Sequence, residues 1–237
     1  MIRMVGLLLW MLTLSARADT PTKATAAEAL GQILHDNSRF VATHDKAYFA
    51  AFRDEQHPGT TLVTCSDSRV HTHALDAHPD GELFVIRNIG NQLDLTGGSV
   101  EYGVRHLHTP LLLIVGHVSC GAVKAAMGDY SDEPASIRRE LDGLHLSIKK
   151  TESAGAFDVR WQANVIGNVH QQVANALLAY KEEIREGRLH VVGAVYDFRN
   201  DLAQGDGKLV IVNVDGEKDP AKLAASPLIK EAGKRAH

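Results

Sequence analysis

LLLIVGHVSCG, Leu111 to Gly121, is the stretch that decides the fold. Five apolar residues in a row, Leu111 to Val115, are too short for a membrane span. They suit a strand covered on both faces, as in a parallel sheet packed between helices. Three further β-prone runs share that character: Thr61–Thr64, Leu83–Ile86 after the turn signal Pro79-Asp80-Gly81, and Val191–Tyr196. Helical patterns lie between and before them: Ala27–Phe40, Lys46–Arg53, Ser99–Leu107, Ala122–Met127, Ser136–Lys150 and Asn164–Arg185. Strands alternating with helices require crossover connections, so the expected fold is α/β with a central, mostly parallel sheet flanked by helices. A helical arm precedes the sheet. After Asp206-Gly207, Lys208–Val212 is expected to return as an antiparallel edge strand.

In open sheets of this kind functional groups collect beyond the carboxyl ends of the strands. Cys65 closes the first strand, and His117 and Cys120 follow the third, with Gly116 and Gly121 permitting a tight turn. The three are expected to meet on one edge of the sheet. Two thiolates and an imidazole suit Zn²⁺, and three protein ligands leave a tetrahedral ion one open position, the mark of a catalytic rather than a structural site. Because Cys65 and Cys120 are the chain's only cysteines, a disulfide and a pair of inert core thiols are competing readings. In the segment Cys65-Ser66-Asp67-Ser68-Arg69, Asp67 and Arg69 alternate in phase with Cys65 if the chain stays extended. A carboxylate there can orient a metal-bound water, provided an arginine keeps it fixed and ionised. Asp67 is also a possible fourth zinc ligand in a resting state.

The ends of the chain read differently. Arg3, an apolar run from Val5 to Leu14 and the small-residue site Ala16-Arg17-Ala18 have the layout of a cleavable secretory signal over residues 1–18. Residues 19–26 form a polar lead-in, and residues 27–237 are expected to be one catalytic domain. Loss of Arg3 and Arg17 leaves 23 basic against 29 acidic residues, a net of −6. That surface argues against a nucleic-acid partner, which needs a basic footprint. No membrane association is expected once the signal is removed, and the expected destination is the periplasm.

Cys65-Ser66-Asp67-Ser68-Arg69, together with Gly116-His117-Val118-Ser119-Cys120-Gly121, resembles the β-class carbonic anhydrases. The likeness extends through Gly81–Asn88, Ser99–Tyr102 and Val195-Tyr196-Asp197, and spans about residues 28 to 215. It implies Zn²⁺ on Cys65, His117 and Cys120, with Asp67 and Arg69 as the catalytic pair. The reaction it implies is reversible hydration of CO₂ to bicarbonate and a proton, by attack of zinc-bound hydroxide. It further implies substrate contacts from Gln56, Phe84, Ile89 and Tyr102, partly supplied by a neighbouring subunit, and hence a homodimer or higher homo-oligomer. One subgroup of the family carries tryptophan three positions before the first cysteine, where it helps a regulatory bicarbonate site. Leu62 stands there in this chain, so that regulation is not expected. The alternatives on the same residues are hydrolysis of carbon disulfide or carbonyl sulfide, which are linear like CO₂, and a non-enzymatic exported zinc-binding module.

Overall fold

The computed structural model describes residues 24–145, 147–148 and 155–235. The signal segment 1–18 and most of the lead-in fall outside them. The described residues form two compact units that divide between Arg53 and Asp54.

The first unit holds α1 (Ala26–Thr43) and α2 (Lys46–Ala50). Thr25 starts α1 through a capping box. Its hydroxyl accepts the Glu28 N–H, and the Glu28 carboxylate accepts the Thr25 N–H at 2.7 Å. Asp45 caps α2 by accepting the Tyr48 N–H at 2.9 Å. α1 buries none of its residues, and Leu30, Ile33, Leu34 and Val41 are each more than half exposed.

The second unit is built on five strands: β1 (Thr60–Cys65), β2 (Leu83–Asn88), β3 (Leu111–His117), β4 (His190–Asp197) and β5 (Lys208–Val214). Their order is β2-β1-β3-β4-β5; the first four are parallel and β5 pairs antiparallel with β4 at the edge. This is the architecture expected from the alternating pattern. Between β2 and β3 come α3 (Gly97–Glu101) and a π-helical turn, Tyr102–His106. Between β3 and β4 lie α4 (Gly121–Ala126), α5 (Ala135–Asp142), α6 (Phe157–Ala179) and α7 (Lys181–Arg185). α8 (Pro220–Ala225) and α9 (Pro227–Arg235) close the unit. Among the described residues no helix is long and apolar enough to cross a membrane.

The two longest helices expected from the sequence have different bounds in the fold. Of the helix expected over Ser136–Lys150, the described residues are helical to Asp142, and residues 146, 149 and 150 lie outside the described residues. Gln92 Nε2 donates to the Glu140 carbonyl at 2.8 Å, and the Leu144 N–H bonds Leu141 O instead of continuing the i→i−4 ladder. The helix expected over Asn164–Arg185 starts earlier, at Phe157, and breaks at Tyr180 into α6 and α7.

α6 lies close on the sheet because β3 and β4 present glycines to it. A Cβ built on Gly193 would stand 2.7 Å from Val169 Cγ1 and 2.9 Å from Val173 Cγ2, and one on Gly116 would stand 2.7 Å from Val169 Cγ2. Both valines are β-branched and cannot turn aside freely. Gly193→Ala is therefore expected to destabilise the fold by about 1–3 kcal/mol, the usual cost of overpacking. Urea unfolding should show this as a lower midpoint with an unchanged slope.

Candidate metal centre

β1 and β3 run side by side with Thr64 opposite Val115, so Cys65 and His117 end adjacent strands at the same sheet edge. The chain then turns through Ser119, a non-glycine residue at φ +55°, and presents Cys120 as the residue before α4. The Cys65 and Cys120 sulfurs and a ring nitrogen of His117 all lie within 4.8 Å of one another, and all three residues are buried.

Hydrogen bonds fix how these atoms face. His117 Nδ1 lies 2.9 Å from the Val118 carbonyl. A carbonyl can only accept, so Nδ1 donates, and in the neutral ring Nε2 is the nitrogen with the lone pair. Nε2 is buried and has no hydrogen-bond partner among the described residues. The two thiols act on each other in opposite directions. Cys65 is pulled well below its ordinary pKa, chiefly by the hydrogen bond from Cys120, and the same contact with burial pushes Cys120 up. The Gly90 N–H also points to the Cys65 sulfur, and the Ala122 and Val123 N–H groups to that of Cys120. An orphan nitrogen, one sulfur already inclined to thiolate and a second sulfur within 4.8 Å of both fit a cation that draws all three to itself. The donor set fits Zn²⁺ with one position left open. Both cysteines are unbridged.

The segment after β1 turns at Asp67; it does not stay extended, and this corrects the phasing expected from the sequence. The Val70 N–H bonds Asp67 O at 3.0 Å, and the Arg69 N–H bonds Asp67 Oδ1 at 2.9 Å. The turn brings the Arg69 guanidinium onto both carboxylate oxygens, Nε to Oδ1 at 2.9 Å and Nη2 to Oδ2 at 2.6 Å. Those bonds hold Asp67 far below the usual carboxylate range, with the Arg69 N–H and nearby His117 adding to the effect. Asp67 Oδ2 stands 3.8 Å from His117 Nε2, beside the ligand cluster but bound to Arg69.

Several supporting residues carry no local signal of their role in the sequence. Arg87, on β2, donates to the carbonyls of Cys65, Asp67 and Val70 at 2.7–3.0 Å and so pins the whole turn. Trp161 Nε1 donates to Cys120 O at 2.9 Å. From α6, Asn168 donates to Gly90 O at 2.8 Å and Gln172 accepts the Leu93 N–H at 2.9 Å. These bonds hold the loop whose Gly90 faces the Cys65 sulfur. Beyond β4, the Phe198 ring lies against His117, and Arg199 Nη1 donates to Ser119 Oγ at 2.5 Å.

Of the expected substrate contacts, Ile89 packs with the apolar cluster that includes Cys65 and Cys120. The other three gather elsewhere. Phe84 stacks on Tyr102 with ring centroids 5.7 Å apart. Tyr102 and Gln56 share a cleft of about 520 Å³ with His57, His106 and His108. Phe84 pairs with Thr61, four residues back along the strand from the Cys65–Asn88 pair, a displacement of about 13 Å at strand rise.

Residues 60–203 match the carbonic anhydrase family. The chain belongs to that family. It is 30% identical over 193 residues to carbonic anhydrase 2 of Mycobacterium tuberculosis, an alignment covering 74% of this chain and 87% of that one. The fold is that of the β-class carbonic anhydrases. The Coccomyxa β-carbonic anhydrase solved with acetazolamide superposes with a TM-score of 0.67 at 24% identity, covering 90% of this chain and 99% of the other. A tetrameric β-carbonic anhydrase from Sordaria macrospora gives 0.68 at 23% identity, covering 78% and 97%. Within this carbonic anhydrase the Cys65–His117–Cys120 cluster fits the zinc site.

Proposed function

We propose that this chain hydrates CO₂ reversibly to bicarbonate and a proton at the Cys65–His117–Cys120 centre, with Asp67 and Arg69 as the catalytic pair. The observation that carries the reading is the convergence of two buried sulfurs and an unpartnered imidazole nitrogen beside an ionised, arginine-held carboxylate. Zinc, when bound, supplies a Lewis acid that makes a water nucleophilic near neutral pH.

The protein's own groups do the rest. Asp67 Oδ1 accepts two hydrogen bonds from Arg69, but Oδ2 accepts only one and retains a further lone pair, so it can accept a hydrogen bond from the attacking water and aim that water's oxygen at carbon. Because Asp67 is held far below its usual range, it stays ionised at neutral pH and is not where the released proton rests. That proton leaves to buffer. Ile89 gives the site an apolar wall, which suits an uncharged linear substrate and limits competing water.

The test is metal analysis of the purified protein combined with stopped-flow assays on CO₂, carbonyl sulfide and carbon disulfide. A full zinc complement with turnover of CO₂ is expected. Full zinc with turnover of only the sulfur compounds would move the assignment to a hydrolase, and no turnover of any would leave a zinc-binding module.

The same reading makes the enzyme a homo-oligomer in which Gln56, Phe84 and Tyr102 face a neighbouring subunit's metal centre. The exposed apolar side of α1 and the 43% exposure of Tyr102 support it. Sedimentation should give at least the dimer mass; a monomer with full activity would overturn it. Residues 1–18 support export to the periplasm, with the mature chain starting after Ala18. Mass spectrometry of the fractionated protein checks this, and an intact amino terminus in the cytoplasmic fraction would defeat it.

A further inference from the structure

The loop after β4 places one aromatic ring against both a metal ligand and the catalytic arginine. Phe198 lies against His117, with centroids 6.1 Å apart and planes 27° from parallel, and the Arg69 guanidinium carbon stands 4.8 Å from the Phe198 centroid. The ring is fixed by its backbone. Before it, Tyr196 O accepts the Val118 N–H at 3.2 Å. After it, the fully buried Asp197 carboxylate accepts the N–H groups of Arg199, Asp201 and Leu202 at 2.7–3.1 Å. Arg69, by contrast, is a long side chain that remains 48% exposed, where water competes for its hydrogen bonds.

We propose that Phe198 is a positioning residue: its face holds the Arg69 guanidinium where it keeps Asp67 away from the metal, and so keeps the fourth position open. This rests on the reading of Asp67 and Arg69 as the catalytic pair. Among the described residues Arg69 is anchored by the Asp67 carboxylate, Ser119 O at 3.1 Å and the Phe198 ring. Ser119 is itself held from the same loop by Arg199. A guanidinium over an aromatic face is stabilised by the ring quadrupole as well as by contact, and an aliphatic side chain of similar volume supplies only the contact. Without the flat face, Arg69 gains freedom toward solvent and Asp67 loses part of its restraint. The carboxylate then has one strong alternative partner within reach, a cation held by its neighbours Cys65, His117 and Cys120. The two arrangements form an equilibrium, and the ring biases it toward the open one.

The experiment loads the full chain with cobalt(II), which accepts the same ligand set, and titrates it with azide while following the cobalt absorption bands. Azide reports an open position directly and needs no turnover. Phe198→Leu and Phe198→Met are expected to bind cobalt fully and azide about three- to fivefold more weakly, the scale of one lost cation–π contact at a half-exposed site. Phe198→Tyr is expected to match the unaltered chain. In an Asp67→Ala background, Phe198→Leu should no longer change azide affinity, since no carboxylate competes. Azide affinities of the Leu and Met variants within about twofold of the unaltered chain would overturn the proposal. So would loss of cobalt from both, which would make the ring a support for His117 alone. Failure of the CO₂ reading would appear in turnover by the unaltered chain, which the azide titration does not use.

Discussion

An Asp67→Asn chain is expected to retain its full zinc complement and to hydrate CO₂ about 10²- to 10⁴-fold more slowly, the usual worth of a positioned proton acceptor. Zinc should stay because the atoms that hold it belong to Cys65, His117 and Cys120, while Asp67 is engaged with Arg69. Rate should fall because the amide replaces one acceptor oxygen with a donor nitrogen and carries no charge. A guanidinium cannot donate to that nitrogen, so the two-pronged contact with Arg69 is reduced to one and the side chain loses its fixed aim. Zinc content by mass spectrometry and hydration by stopped flow give both halves of the result. Turnover equal to that of the unaltered chain would remove Asp67 from the mechanism, and loss of zinc would reassign it as a ligand.

Cys120→Ala is expected to have the larger effect, abolishing both zinc binding and catalysis. It removes one of only two thiolates and leaves Cys65 and His117, too few to hold the ion against water. It also returns the Cys65 thiol toward its ordinary range, because the hydrogen bond that chiefly lowers it comes from Cys120. The sheet should persist, as Cys120 lies beyond β3 and its side chain takes no part in strand pairing. Circular dichroism near that of the metal-free unaltered chain, with only trace zinc and no hydration above background, is the expected outcome. Full metal content in this variant would dissolve the proposed ligand set.

The strands were legible because a parallel sheet covered on both faces forces continuous apolar runs, and Leu111–Val115 could be little else. The ligand set was legible because its chemistry resides in residue type: cysteine and histidine at strand ends bring few other uses with them. What escaped the sequence depends on contacts that spacing does not encode. Arg87 reads as one more polar residue on β2, yet it spans three carbonyls of the neighbouring turn. Phe198 and Arg199 meet the metal centre only because His117 pairs with Tyr196 in the folded sheet. The early end of α5 follows from the side chain of Gln92, 48 residues before the carbonyl it captures. Gln56, Phe84 and Tyr102 carry a local likeness to substrate contacts, but one chain by itself does not bring them to the metal.

The ligand residues are almost wholly enclosed, with Cys65 at 4%, His117 at 0% and Cys120 at 1% exposure. An ion seated there would meet solvent only through its open fourth position, which admits a small anion, whereas a bulky chelator would have to wait for the ligand residues to move apart. Release is then paced by local opening of the protein, and adding more chelator raises the amount of metal captured without hastening its departure.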